Sequence, residues 1–251
     1  MNDTVQAIIL SQSDYRDYDV LIKAMSAEYG LIGFIASGAR RMSSKNAGSI
    51  LPFTKAEIHF DYKEGRSLFR LKTARTKQFF RRIHDDLNLS AAVSVIGDVC
   101  SHMCEERTAG SNEEYALLDE AMRLLDEGND PSTVICLYIS DMMKLFGIGP
   151  DVDECVHCGS LVVSALSAKE GGFLCAECAE KAGVPARSVT DLKRFRLLIK
   201  GGLKHIEIIS KAGGAVFDDL EILIEMLRLH AGLELRSFAF HKRFFTIEPV
   251  S

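Results

Sequence analysis

Four of the chain's seven cysteines fall in two pairs, Cys155-Val156-His157-Cys158 and Cys175-Ala176-Glu177-Cys178, with 16 residues between them. Two thiolates spaced by two residues can grip one ion from a single turn. Two such turns facing each other complete the tetrahedron that Zn2+ prefers. The spacing lies in the zinc-ribbon range, so Cys155, Cys158, Cys175 and Cys178 are the expected metal ligands. His157, between the first two, is a weaker candidate than any of the four thiols. Gly159, Gly171 and Gly172 flank the pairs and give the backbone the freedom such turns need. A redox dithiol is the competing reading of a single C-x-x-C, and the twin pair argues against it. Four thiolates close the coordination sphere, so the zinc is expected to be structural. A catalytic zinc keeps an open position, and neither His-Glu-x-x-His nor His-x-Glu ahead of Pro-Cys-x-x-Cys occurs.

A second kind of chemistry is carried by cations. Ser37-Gly38-Ala39-Arg40-Arg41-Met42-Ser43-Ser44-Lys45 is a small-residue loop bearing three positive charges, and Arg70, Lys72, Arg75, Lys77, Arg81 and Arg82 follow. Side chains of this kind displace the counterions condensed on a phosphate backbone. Residues 1–82 hold 14 Lys and Arg against 8 Asp and Glu, while residues 83–251 hold 16 against 27. A basic N-terminal module on an acidic body suggests a polyanionic partner, although solvated faces can also be asymmetric by chance. Cations outnumber the aromatic candidates, which points to backbone contact rather than base reading. Phe79 and Phe80 are expected to pack the barrel against helices.

No Walker-type glycine loop, G-x-G-x-x-G or G-x-S-x-G elbow is present, so no catalytic centre is expected. Cys100, His102 and Cys104 are clustered, but their apolar setting favours buried thiols over a second metal site. The pairs Asp85-Asp86 and Asp218-Asp219 read as helix-start charges.

The elements that must position these groups change character near residue 83. Val5–Leu10, Val20–Met25 and Leu31–Ala36 are short apolar runs. Lys55–Tyr62 alternates, with Ala56, Ile58, Phe60 and Tyr62 on one side. Ser67–Thr73 follows a Lys63–Arg66 turn, placing Phe69 and Leu71 inward and Arg70 and Lys72 outward. Five strands in so short a segment predict a small OB-type barrel, with Asn46–Phe53 crossing between the third and fourth. Helices are expected from Leu89 to Cys104, from the capping box Ser111-Asn112-Glu113-Glu114 to Gly128, and from Asp130-Pro131 to Phe146. Two more should cover Thr190–Lys200 and Phe217–Leu229. The fold class is therefore α+β and multidomain: a barrel over 1–80, a helical domain over 81–150 and 185–251, and a zinc knob over 151–184.

The 47% apolar and 26% charged composition is that of a globular protein, and no apolar run is long enough for a membrane helix. Met1–Thr4 lacks the pattern of a secretory signal, and paired metal-type cysteines suit a reducing compartment. A cytoplasmic location is the expectation.

The chain also resembles the bacterial RecO family of recombination mediators. The resemblance is carried by Ala7-Ile8-Ile9-Leu10 with Tyr15 and Asp19, then Glu28-Tyr29-Gly30, Ala36-Ser37-Gly38-Ala39-Arg40 and Leu51-Pro52-Phe53-Thr54. Phe146-Gly147-Ile148-Gly149-Pro150 leading into the first cysteine pair, Gly171–Cys175, and Leu235-Arg236-Ser237 complete it. It implies an OB barrel, a helical domain and an inserted zinc finger. It also implies binding of single- and double-stranded DNA, annealing of complementary strands, joining with RecR, and help for RecA loading on gapped DNA. Members dock the acidic tail of the single-stranded-DNA-binding protein (SSB) on the helical domain, for which Lys144 near Met142, Met143 and Phe146 is a candidate corner. No membrane partner is implied. A zinc-ribbon transcription or translation adaptor is the alternative, and a metal-dependent nucleic-acid hydrolase a third class.

Overall fold

The computed structural model describes residues 2–105 and 112–245. Two compact units divide the chain. One takes the segment up to Val93 with Cys100–Glu127, and the other takes Ser94–Val99 and the chain from Gly128 on.

In the first unit, β1 (Asn2–Asp14), β2 (Val20–Ser26), β3 (Gly30–Ala36), β4 (Thr54–Asp61) and β5 (Leu68–Phe79) close a barrel in the order β1-β2-β3-β5-β4. This is an OB-like arrangement. The β3–β5 pair is parallel, and the others are antiparallel. Long β1 serves two neighbours, pairing β4 through its first half and β2 through its second. Alternate residues fill the interior: Val5, Ala7 and Ile9; Val20, Ile22 and Ala24; Ile32, Phe34 and Ala36; Ala56, Ile58 and Phe60; then Phe69, Leu71 and Ala74. Each large side chain buried there contributes about 1.5–3 kcal/mol. Ile8, Leu10, Met25 and Leu31 are buried on the opposite face, which explains why these strands read as continuous apolar runs.

Strand β5 runs six residues beyond the Thr73 end expected from sequence. His59 pairs with Thr73 but Phe60 pairs with Leu71, so Lys72 is an extra residue, and a second shift follows between Lys55 and Ala56. The first bulge leaves Lys72 and Thr73 both exposed and returns Ala74 to the interior, which breaks the alternation a sequence pattern relies on.

After the barrel come α1 (Arg81–Asp85), α2 (Leu87–Met103) and α3 (Asn112–Glu127). The Asp86 side chain caps α2 by accepting from the Asn88 and Leu89 N–H groups. Asp85 corrects the helix-start expectation, since it ends α1 and pairs with Arg81. Ser111 of the expected capping box lies outside the described residues. Helix α3 packs on β2 and β3, and its Asp119 meets Lys55 at 2.7 Å. Cys100 and Cys104 are buried thiols with sulfurs 3.9 Å apart.

The second unit is built around α4 (Pro131–Leu145). Ser132–Ser140, Met142 and Met143 are all buried, as a helix apolar on every side must be. It packs against α6 (Val189–Gly201), α7 (Ile206–Lys211) and α8 (Phe217–Ala231), with α9 (Arg236–Phe245) following. Asp218 and Asp219 lie in the first turn of α8, where buried Asp219 accepts from the Val216 N–H and from Arg194. The cysteine segment forms a two-stranded ribbon of β6 (Ala165–Ser167) and β7 (Gly172–Leu174) followed by α5 (Ala176–Ala182). These pieces, with α7, are too short to show periodicity in a sequence. Among the described residues no helix is long and apolar enough to cross a membrane.

Candidate metal centre and candidate nucleic-acid interface

The first cysteine pair sits on a tight turn before the ribbon. The Gly159 N–H donates to the Cys155 carbonyl, and the Cys155 N–H to the Ser160 carbonyl, each at 2.9 Å. Gly159 has a φ of 69°, a left-handed value that any side chain would strain. The second pair straddles the start of α5, with Cys175 at its N-cap position and Cys178 in its first turn. Hydrogen bonds from Val156 N–H to the Phe173 carbonyl and from Phe173 N–H to the Asp151 carbonyl fasten the turn to β7. A Cβ on Gly172 would lie 2.2 Å from the Asp151 oxygen, so only glycine permits this approach.

The four sulfurs all lie within 4.8 Å of one another, and Cys158 Sγ is 3.7 Å from Cys175 Sγ. Thiolates about 2.3 Å from a tetrahedral zinc are about 3.8 Å apart, so the set has the dimensions to hold a metal ion. Burial pushes the Cys155 thiol up, but N–H groups of Cys175, His157 and Cys158 outweigh it and bring it to about 6. Cys178, hydrogen-bonded to Cys175, is pushed up to about 12. Thiols so close cannot all ionise unless a cation joins them. His157 turns away, its Nε2 lying 2.8 Å from Glu170. Beneath the sulfurs is a small core of Cys155, Ala165, Leu174 and Ala179.

The basic side chains are distributed over the barrel. Arg40, Arg41 and Lys45 are exposed on the loop after β3, and Arg70, Lys72, Arg75 and Lys77 are exposed along β5. Asn46 joins the two groups. Its amide nitrogen donates to the Lys72 carbonyl (3.2 Å), and its oxygen accepts from the Ala74 N–H (3.0 Å). Ser49 extends the stitch by accepting from the Thr76 N–H at 3.2 Å. Lys45 is thereby held beside the Lys72 bulge. At the other end of the loop, Asp19 accepts from the Gly38 N–H (2.8 Å), and the Tyr18 carbonyl from the Arg40 N–H (3.1 Å). Sequence reasoning did not identify Asn46 or Ser49 as the link, because the bonds span about thirty positions with no local pattern.

The cations differ in what already faces them. Arg40 meets Asp14 (2.9 Å), Lys72 meets Asp61 (2.7 Å) and Lys77 meets Glu57 (2.9 Å). Lys77 and Lys72 hold the Glu57 and Asp61 carboxyls below the usual carboxylate range. Arg41 lies over the Tyr18 ring at 5.1 Å. Among the described residues no carboxylate forms a salt bridge with Lys45, Arg70 or Arg75, although Arg75 sits across the ladder from Glu57 and helps to lower its pKa. Phe80 is buried as expected, but Phe79 remains 44% exposed and stacks on His84 with ring centroids 4.2 Å apart.

Lys144 borders a recess of about 630 Å³ in the second unit, lined also by Asp141, Gly147, Gly149, Pro150, Ile199, Lys200, Gly201 and Lys204. Met142 and Met143 do not form its corner, because both point into the helical core. Asp141 stands beside Lys144 in the same wall, pairing with its Nζ at 3.1 Å and accepting from the Leu203 N–H at 2.8 Å.

Residues 1–80 match the family model described as Recombination protein O N terminal, and residues 84–238 the one described as Recombination protein O C terminal. The chain is similar to the DNA repair protein RecO of Halalkalibacterium halodurans, 30% identical over 177 residues that cover 70% of this chain and 68% of the relative. Its likeness to the DNA repair protein RecO of Listeria welshimeri is 28% over the same shares. The protein of that name from Lactiplantibacillus plantarum is 30% identical over 169 residues, 67% of this chain and 65% of the relative.

Proposed function

The chain belongs to the recombination protein O family of DNA repair and recombination proteins, and from that premise we propose that it is a non-enzymatic strand-annealing mediator. It binds single- and double-stranded DNA through Arg40, Arg41, Lys45, Arg70, Lys72, Arg75 and Lys77. The observation that carries this reading is the Asn46 stitch, which makes a loop and a strand one cationic surface. Neutralising two phosphate backbones on such a surface lowers their mutual repulsion and lets complementary bases find each other.

Cys155, Cys158, Cys175 and Cys178 hold Zn2+, which orders the knob and does no chemistry. The ion would supply four metal–sulfur bonds in place of a larger core. The barrel comprises residues 1–80, the helical domain 81–150 and 185–251, and the knob 151–184. With RecR, in the cytoplasm, the protein helps RecA load on gapped DNA coated by SSB. The acidic tail of that protein enters the recess by taking over Lys144 from Asp141 and Lys200 from Asp153, while Lys204 adds charge and Ile199 and Pro150 line the recess.

Annealing of two complementary labelled oligonucleotides, followed across a salt series without nucleotide, tests the reading. Acceleration that fades with salt and weakens in an Arg40→Ala, Arg41→Ala, Lys45→Ala variant supports it. A folded, metal-loaded protein that leaves annealing unaccelerated would instead be an adaptor whose barrel binds protein.

A further inference from the structure

The hairpin joining β1 to β2 carries Tyr15-Arg16-Asp17-Tyr18-Asp19 at its tip, closed by a 3.0 Å bond from the Tyr15 N–H to the Asp19 carbonyl. Tyr15 and Tyr18 are 37% and 52% exposed. The barrel tyrosines Tyr29 and Tyr62 are different, because they stack on each other and pack against the interior cluster. A hairpin tip made only to turn the chain has no need of large rings in water, and burial would reward them elsewhere.

Each exposed ring carries a guanidinium. Arg16 lies over Tyr15 and Arg41 over Tyr18, both at 5.1 Å from the centroid. Asp19 and the Tyr18 carbonyl anchor the start of the cationic loop to this hairpin, and Arg40 reaches back to Asp14 at its base. Aromatic faces are therefore fixed next to groups suited to phosphate. That combination fits an unpaired strand, whose bases offer free faces while its backbone offers charge. A duplex offers only the charge, since its bases are already paired and stacked.

We propose that Tyr15 and Tyr18 are a base-stacking site for single-stranded DNA, and that this hairpin gives the barrel its preference for unpaired strands. The inference rests on the DNA-binding reading above and assigns to the hairpin a discrimination that cations alone cannot provide. Stacking accepts any base, so the site selects strandedness and not sequence.

The test compares the full metal-loaded chain with a Tyr15→Ala, Tyr18→Ala variant and a Tyr15→Phe, Tyr18→Phe variant, using an oligothymidylate and a duplex of equal length. The alanine variant should lose about tenfold to a hundredfold of single-strand affinity while duplex affinity stays within about twofold. The phenylalanine variant should restore the loss, because it keeps the ring. The salt slope should not change, since no phosphate contact is removed. The chain has no tryptophan, so quenching of tyrosine emission by the oligothymidylate, lost in the alanine variant, gives a second readout. Unchanged single-strand affinity, or equal weakening toward both DNAs, would overturn the stacking site while leaving the DNA-binding reading intact. A wild-type chain that binds neither DNA at low salt would overturn both.

Discussion

The cysteine knob buries Cys155, Ala165, Leu174 and Ala179 and packs a few valines around them, whereas the barrel buries an interior drawn from all five strands. Below about 40 residues a core seldom suffices without a metal or disulfides, so the knob depends on what its sulfurs hold. The barrel meets no such limit. Its cohesion comes from contacts between distant positions, such as the β1–β4 pairing of Val5 with Ile58. The two regions therefore differ in what breaks them. On the proposed zinc reading the knob should fail when its four sulfurs are deprived of an ion, and the barrel when a long-range core is opened.

The largest expected effect comes from removing the metal. Chelation, or Cys155→Ser with Cys175→Ser, should withdraw a binding energy on the order of 10 kcal/mol from the knob. Hydrogen exchange should then lose protection over the ribbon and α5 while the barrel strands stay protected. Persistent protection of the ribbon would break the comparison from the knob's side. Next is Phe34→Ala, which empties a fully buried interior position and should cost about 3–5 kcal/mol of barrel stability with metal content unchanged. Gly172→Ala drives a Cβ into the Asp151 backbone and should cost about 3 kcal/mol, read as weakened metal retention under a chelator titration. Asn46→Ala is smaller. Two lost hydrogen bonds should cost about 1–2 kcal/mol in thermal unfolding and loosen the cationic loop without affecting the metal.

The same contrast governs what the sequence discloses. The knob's candidate ligands share two turns, so the spacing of Cys155, Cys158, Cys175 and Cys178 announces them, and the structure gathers those four sulfurs. The five barrel strands were legible too, three as short apolar runs buried on both faces and two by alternation, although β5 continues past the bulge that ends its alternating part. The candidate interface was legible only as a list of cations. Its shape depends on the Lys72 bulge, which shifts the parity of Arg75 and Lys77, and on Asn46 and Ser49 reaching across to β5. Neither leaves a periodic trace. Tyr15 and Tyr18 escaped for a related reason, since a ring in a hairpin tip reads as core material until its exposure is known.

The central claim is that the loop after β3 supplies phosphate-neutralising charge, and its most direct measure is the slope of log affinity against log salt for a single strand. Replacing Arg40, Arg41 and Lys45 by alanine removes three candidate phosphate contacts and should flatten that slope by about 2. An unchanged slope in a folded, metal-loaded variant would contradict the claim.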